Sequence, residues 1–223
     1  RTENIPLCQD TGMFHLFVEL GEGATLPCGF REAADAGLRA ATAGIPLRSS
    51  LVDDPLFERA NRGDNTPVLV HVEGGGPRGG ARLTLMAKGG GSENATRLFM
   101  LLPGDGPEGV ERAVLEAVRA KGAQACPPIV VGVGVGSDAS GAIELALRSL
   151  LRPLGERHPR CELADLEDRL LAAVNSLGIG AAGLGGDATA LDVHVEEAPG
   201  HIGSLPVGVV LGCHSLRRSD IEG

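Results

Sequence analysis

Apolar and polar positions alternate in "MFHLFVEL", residues 13–20, the period of two that predicts a half-buried strand. "FREAADAGLRAATAG" (30–44) switches to helical spacing, is rich in Ala and closes on Gly44. "PVLVHVEGGGPRGGARLTLMAKGGG" (67–91) holds two apolar runs joined by glycines, which predicts a hairpin with a long, loose tip. "GPEGVERAVLEAVRAKG" (106–122) is helical by spacing, with Gly122 as its stop, and "PPIVVGVGVG" (127–136) is the β-branched run of a buried strand. Two helices follow, "SGAIELALRSLLRPL" (140–154) and "CELADLEDRLLAAVNSLG" (161–178). Two strands, "ALDVHVEEA" (190–198) and "LPVGVVLGC" (205–213), are divided by a Pro-Gly turn. Hairpins mixed with helical crossovers predict an α/β (α+β) fold, a mixed β-sheet with flanking helices. Pro and charge in "RPLGERHPRC" (152–161) mark the softest boundary, so a division into two lobes is expected there. No repeat or low-complexity segment is visible.

Composition narrows the function. The 223 residues, 43% hydrophobic, suffice for a buried core, but only 2% are aromatic and none is Trp or Tyr. Aliphatic side chains and Ala must fill the interior, and platforms for stacking nucleic-acid bases are scarce. A net charge of -9 opposes nonspecific binding to nucleic acid or anionic membrane. No apolar run approaches the roughly 18 residues of a membrane span, and the N-terminus lacks a basic-then-apolar signal. The expectation is a soluble, cytoplasmic protein with neither nucleic acid nor membrane as partner. Five scattered cysteines without CxxC pairs are expected to be reduced thiols.

Cys8, Cys126 and Cys213 each stand at the end of an element, where a thiolate can face a cavity; Cys28 and Cys161 lie in less ordered surroundings. Position alone also suits small buried hydrophobes or surface thiols. If the three converge, soft thiolates suit zinc or an iron–sulfur centre, and spacing does not choose between them. Three ligands on a four-iron cluster leave one iron open as a Lewis acid. "MAKGGGSEN" sets Lys88, Gly89, Gly90, Gly91 and Ser92 after a strand, offering backbone N–H groups and a cation to an anion, although a flexible turn explains it as well. Gly134, Gly136 and Ala139 fit a weak GxGxxA, for which tight strand-to-helix packing is a better reading than nicotinamide binding. His201, in the turn before the Cys213 strand, is a candidate acid–base group near a metal, though a lone His is more often a packing or surface residue. Arg48 offers a planar fork to a carboxylate. Arg217 and Arg218 are the same kind of candidate, with a solvated terminus as the simpler reading.

Taken in order, "LCQDTG", "MAKGGGSENATRL", "ACPPIVVGVGVG", "GLGGDATALDVHVE" and "LPVGVVLGCHSLRR" resemble class I fumarate hydratase, and more closely the alpha subunit or N-terminal catalytic domain of the iron-sulfur hydro-lyases, fumarases and L-tartrate dehydratases. The likeness runs over nearly the whole chain, so 1–223 reads as one such domain. The resemblance implies a 4Fe-4S cluster held by Cys8, Cys126 and Cys213, and reversible trans hydration of a dicarboxylate, fumarate to L-malate in the tricarboxylic acid cycle being the commonest case. It implies that Gln9 and Asp10 line the substrate, with Asp10 and His201 as catalytic candidates. Arg48 would bind a carboxylate, and the loop from Lys88 through Gly89, Gly90 and Gly91 would wall the site.

The family's chains carry helical residues before the first cysteine motif, whereas seven residues precede Cys8, so some are expected to be missing. "CHSLRR" stands where relatives more often show "CHAARH". A beta subunit or C-terminal domain is implied as partner, supplying the proton-abstracting group. The chain alone is expected to be inactive, and the assembly to be a dimer of heterodimers or a homodimer. Two other readings stand beside fumarate hydration: an L-tartrate dehydratase alpha subunit, and a nonenzymatic metal-binding assembly subunit. Intact Gln9, Asp10, Arg48 and Lys88 speak against the last.

Overall fold

The computed structural model describes residues 5–222. In chain order the elements are β1 (Met13–Leu20), α1 (Phe30–Gly44), β2 (Leu69–Gly74), β3 (Ala81–Lys88), the short α2 (Gly90–Glu93), β4 (Arg97–Leu101), α3 (Gly106–Lys121), β5 (Ile129–Gly136), α4 (Ala139–Ser149), α5 (Cys161–Asn175), β6 (Ala190–Ala198), β7 (Leu205–Gly212) and β8 (Arg217–Glu222). The α+β class is as expected, but the strands form two mixed sheets of four, not one. They belong to two units: an N-terminal unit running to Gly90 and completed by the segment from Ser215 onward, and a middle unit, Gly91–His214. The expected boundary at 152–161 is therefore misplaced. Its charges are not a linker's: Arg152 pairs with Glu167 and Glu196, and Arg157 with Asp168 and Asp192, all within the middle unit.

In the N-terminal unit the sheet order is β2-β1-β3-β8. The predicted hairpin over 67–91 does not form. β2 lies parallel to one edge of β1 and β3 antiparallel to the other, so the glycines between them cross the end of β1. Gly76 and Gly21 have no room there: a Cβ on Gly76 would stand 2.0 Å from the Glu19 carbonyl oxygen, and one on Gly21 1.6 Å from that of Pro77. Long-range pairing to both edges of an apolar strand has overridden the local turn signal. The four buried residues Phe14, Leu38, Val68 and Ala87 pack α1 onto one face of the sheet. A cleft of about 490 Å³ lies alongside, lined by aliphatic side chains that include Leu16, Leu47, Leu83 and Leu85. β8, whose charges suggest a solvated end, instead pairs antiparallel with β3.

The middle unit orders its strands β4-β7-β5-β6, with β5 parallel to β6 and antiparallel to β7. The repeated Val-Gly of β5 explains how both faces are covered. Val131 and Val133 join a large core with Val110 and Val114 of α3 and Leu166 and Leu170 of α5. The intervening Gly132 and Gly134 bring α4 flush against the opposite face: a Cβ on either would come within 2.1 Å of an α4 carbonyl oxygen, that of Ala146 or Ala142. The glycines of the weak nucleotide-like motif thus serve helix-to-strand packing. Asp138 caps α4 by accepting the Gly141 N–H at 2.7 Å. That bond, with the Ser140 side chain, holds its carboxyl below the usual carboxylate range. Among the described residues no helix is long and apolar enough to cross a membrane.

Candidate active site

The "LCQDTG" segment around Cys8 is a tight loop leading into β1. Cys8 Sγ accepts the Asp10 N–H at 3.4 Å, the kind of hydrogen bond that a thiolate ligand receives. Both Asp10 carboxylate oxygens are engaged. Oδ1 accepts the Gly12 N–H at 2.9 Å and the Ser50 hydroxyl at 3.3 Å, and Oδ2 accepts the Gly90 N–H at 2.7 Å. Asp10 therefore ties three segments of the N-terminal unit together. Gly12 is required where it stands: its φ is +79°, and a Cβ would meet the Lys88 carbonyl oxygen at 2.2 Å. Arg217, far from being solvated, donates through Nη2 to the carbonyls of Asp10 and Thr11, at 3.3 and 3.1 Å.

Around that loop the N-terminal unit gathers other predicted residues. Lys88 ends β3 and is buried, Gly89 and Gly90 lie against Asp10, and Gln9 is exposed beside Cys8. Arg48 is exposed, and its guanidinium makes no hydrogen bond or ion pair among the described residues. Sequence reading passed over Ser50, which reaches Asp10, and Asn65, which binds the Arg48–Ser50 loop. The Ser-Ser after Arg48 and the turn-forming "GDN" were the available signals.

Cys126 and Cys213 belong to the middle unit. Cys126 follows a short 3-10 turn and sits in the left-handed region, φ 56° and ψ 67°, unusual for a residue with a side chain. Cys213 follows β7 and is buried. Antiparallel pairing of β5 with β7 brings the two corners together. The His214 N–H donates to the Cys126 carbonyl oxygen at 3.3 Å, and His214 Nδ1 lies 3.0 Å from the same oxygen. A carbonyl only accepts, so Nδ1 carries the hydrogen. His201 is not brought to this end. It lies in the exposed turn between β6 and β7, and the eight-residue β7, about 26 Å long at strand rise, separates it from Cys213. Its placement does not supply an acid–base group beside Cys126 and Cys213 of the same sheet.

Among the described residues the five cysteines form no disulfide, and Cys28, Cys126 and Cys161 are exposed. Among the described residues no three His, Cys, Asp or Glu gather into a group that would hold a metal ion. One mononuclear ion needs such a group. Thiolates on different irons of a cluster need not meet, and an all-thiolate donor set suits that chemistry.

A family profile described as fumarate hydratase (Fumerase) matches residues 1–222. The chain is 43% identical over 220 residues to the "Putative L(+)-tartrate dehydratase subunit alpha" of Methanocaldococcus jannaschii, covering 96% of this chain and 77% of that protein. It is 34% identical over 236 positions to the "L(+)-tartrate dehydratase subunit alpha" of Escherichia coli K12, covering 98% of this chain and 72% of the relative. The protein from Escherichia coli UTI89 with the same name is 35% identical over 237 positions, with 98% and 73% covered. Matched nearly end to end by that profile and by these relatives, the chain belongs to the fumarate hydratase (Fumerase) family of hydro-lyases.

Proposed function

We propose that this chain is the alpha subunit of an L-tartrate dehydratase, working with a beta subunit that completes the site. The observation that carries the reading is the similarity to tartrate dehydratase alpha subunits over almost the full chain. In this reading Cys8, Cys126 and Cys213 hold a 4Fe-4S cluster. The cluster, when bound, leaves one iron free to act as a Lewis acid toward the substrate carboxylate and the departing hydroxyl. The left-handed backbone at Cys126 supports the ligand role, because such a conformation costs about 1–3 kcal/mol and is retained where the surroundings demand it.

The chain's own residues bind and orient the diacid. Arg48, exposed and unengaged among the described residues, offers its fork to one carboxylate, and Gln9 adds a polar amide beside Cys8. Asp10, both oxygens occupied by donors, fixes the Cys8 loop against Gly89 and Gly90 and is assigned a positioning role, not proton abstraction. Dehydration breaks the C–O bond at one carbinol carbon and the C–H bond at its neighbour. The C–H proton passes to a base that this reading places on the beta subunit, and the hydroxyl departs as hydroxide and takes up a proton from solvent to become water. The enol so formed becomes the keto acid.

The test is anaerobic coexpression with the beta subunit, with iron and sulfide analysis followed by turnover of L-tartrate, fumarate and L-malate. The expected result is four irons and four sulfides per chain and preferential dehydration of L-tartrate, with cluster and activity both lost in Cys126→Ser. Preferential hydration of fumarate would move the substrate to the second reading, which the description of the matching family favours. Turnover that persists without iron would remove the cluster.

A further inference from the structure

We propose that Asn65 is a positioning residue that sets Arg48 for a substrate carboxylate, an inference that rests on the role given to Arg48 above. Asn65 is fully buried and has φ 58°, a left-handed conformation that Asn enters more readily than other side-chain-bearing residues. Its amide spends both ends on one loop. Oδ1 accepts the Ser50 N–H at 2.8 Å, and Nδ2 donates to the Arg48 carbonyl at 3.2 Å and to Thr42 Oγ1 at 3.3 Å. Thr42 in turn donates to the carbonyl of Asp64, at 3.2 Å. The Ser50 N–H can only donate and the Arg48 carbonyl can only accept, so the site requires an acceptor on one side and a donor on the other, which an amide of this size supplies.

A second asparagine holds the residue between them. Asn61 Oδ1 accepts the Ser49 hydroxyl at 2.6 Å and its Nδ2 donates to the Ser49 carbonyl at 3.0 Å. Three consecutive residues are thus bound through the backbone, while the guanidinium they carry engages nothing among the described residues. A fixed backbone beneath a free cation is preorganisation: less motion is lost when an anion binds. The loop also reaches the cysteine segment, since Ser50 donates to Asp10.

The experiment uses the chain assembled with its beta subunit and whichever of L-tartrate and fumarate it turns over. Asn65→Asp keeps the size and the acceptor for Ser50 but turns an acceptor toward the Arg48 carbonyl. Its KM is expected to rise about tenfold with kcat within about twofold. Arg48→Ala should raise KM at least as much, and adding Asn65→Asp to it should cost nothing further. If Asn65→Asp does not assemble, Thr42→Val, which removes one acceptor of the Asn65 amide, should raise KM about threefold in the native background and not in Arg48→Ala. A KM effect in Arg48→Ala without one in the Asn65 or Thr42 variant overturns the inference alone, as does an effect undiminished in Arg48→Ala. No effect in Arg48→Ala, or turnover of neither diacid, removes the reading of the site and this inference with it.

Discussion

The two units arrange four strands in the same way and finish them differently. In each, a central strand (β1 or β5) has a parallel neighbour reached through helix (β2 or β6), an antiparallel neighbour on its other edge (β3 or β7), and beyond that an outer antiparallel strand (β8 or β4). The outer strand comes last in the chain in the N-terminal unit and first in the middle one. The middle unit is closed on both faces, by α3 and α5 over the valines and by α4 over the glycines. The N-terminal unit sets one long helix, with Leu38 as its buried residue, beside an open aliphatic cleft. The same strand layout serves in one case as a tightly filled scaffold and in the other as a carrier of hydrogen-bonded loops around Asp10 and Asn65.

Three substitutions probe that contrast. The largest effect is expected at Asp192, buried in the middle unit. It accepts the Gly155 and Val193 N–H groups and meets Arg157 and His194. Burial would raise its carboxyl, but the Gly155 N–H, the Arg157 guanidinium and His194 outweigh that and hold it below the usual value. A depressed carboxylate contributes stability that is present above the unfolded value near 3.9 and lost as pH falls through the folded one. Asp192→Asn should cost about 3–5 kcal/mol at pH 7 in denaturant titration, and the stability gap between pH 7 and pH 3 should narrow; an unchanged gap refutes the assignment. Gly134→Ala comes next, at about 3 kcal/mol by the same measurement, because neither backbone at the α4 seam can yield. The smallest change has the opposite sign. Gly37 lies within α1, and a methyl group added there would meet nothing within 4 Å, so Gly37→Ala should raise stability by about 0.5–1 kcal/mol, read as a higher melting temperature.

Local periodicity made single elements legible and left their pairing hidden. β1 and α1 fall where alternation and helical spacing put them, and β5 is a buried strand as its β-branched run implies. The 67–91 hairpin failed because β1, nearly fifty residues earlier than β2, occupies the place between the two strands, and no local signal carries that information. β4 went unread since it is only five residues long, and β8 because its charges look solvated. In the candidate site the reactive side chains stood out by type, whereas Asn65 and Ser50 did not. Their role depends on hydrogen bonds across 15 or more residues, and in sequence they are indistinguishable from ordinary turn residues.

The seam between α4 and β5 also bears on local motion in the middle unit. Where a helix and a strand touch main chain to main chain, no rotamer lies between them to change, and the joint has no soft coordinate. Cys126 stands just ahead of that strand, so the corner that carries its thiol starts from a support with little freedom to shift. Local opening of the middle unit is therefore expected in its turns before it reaches that joint.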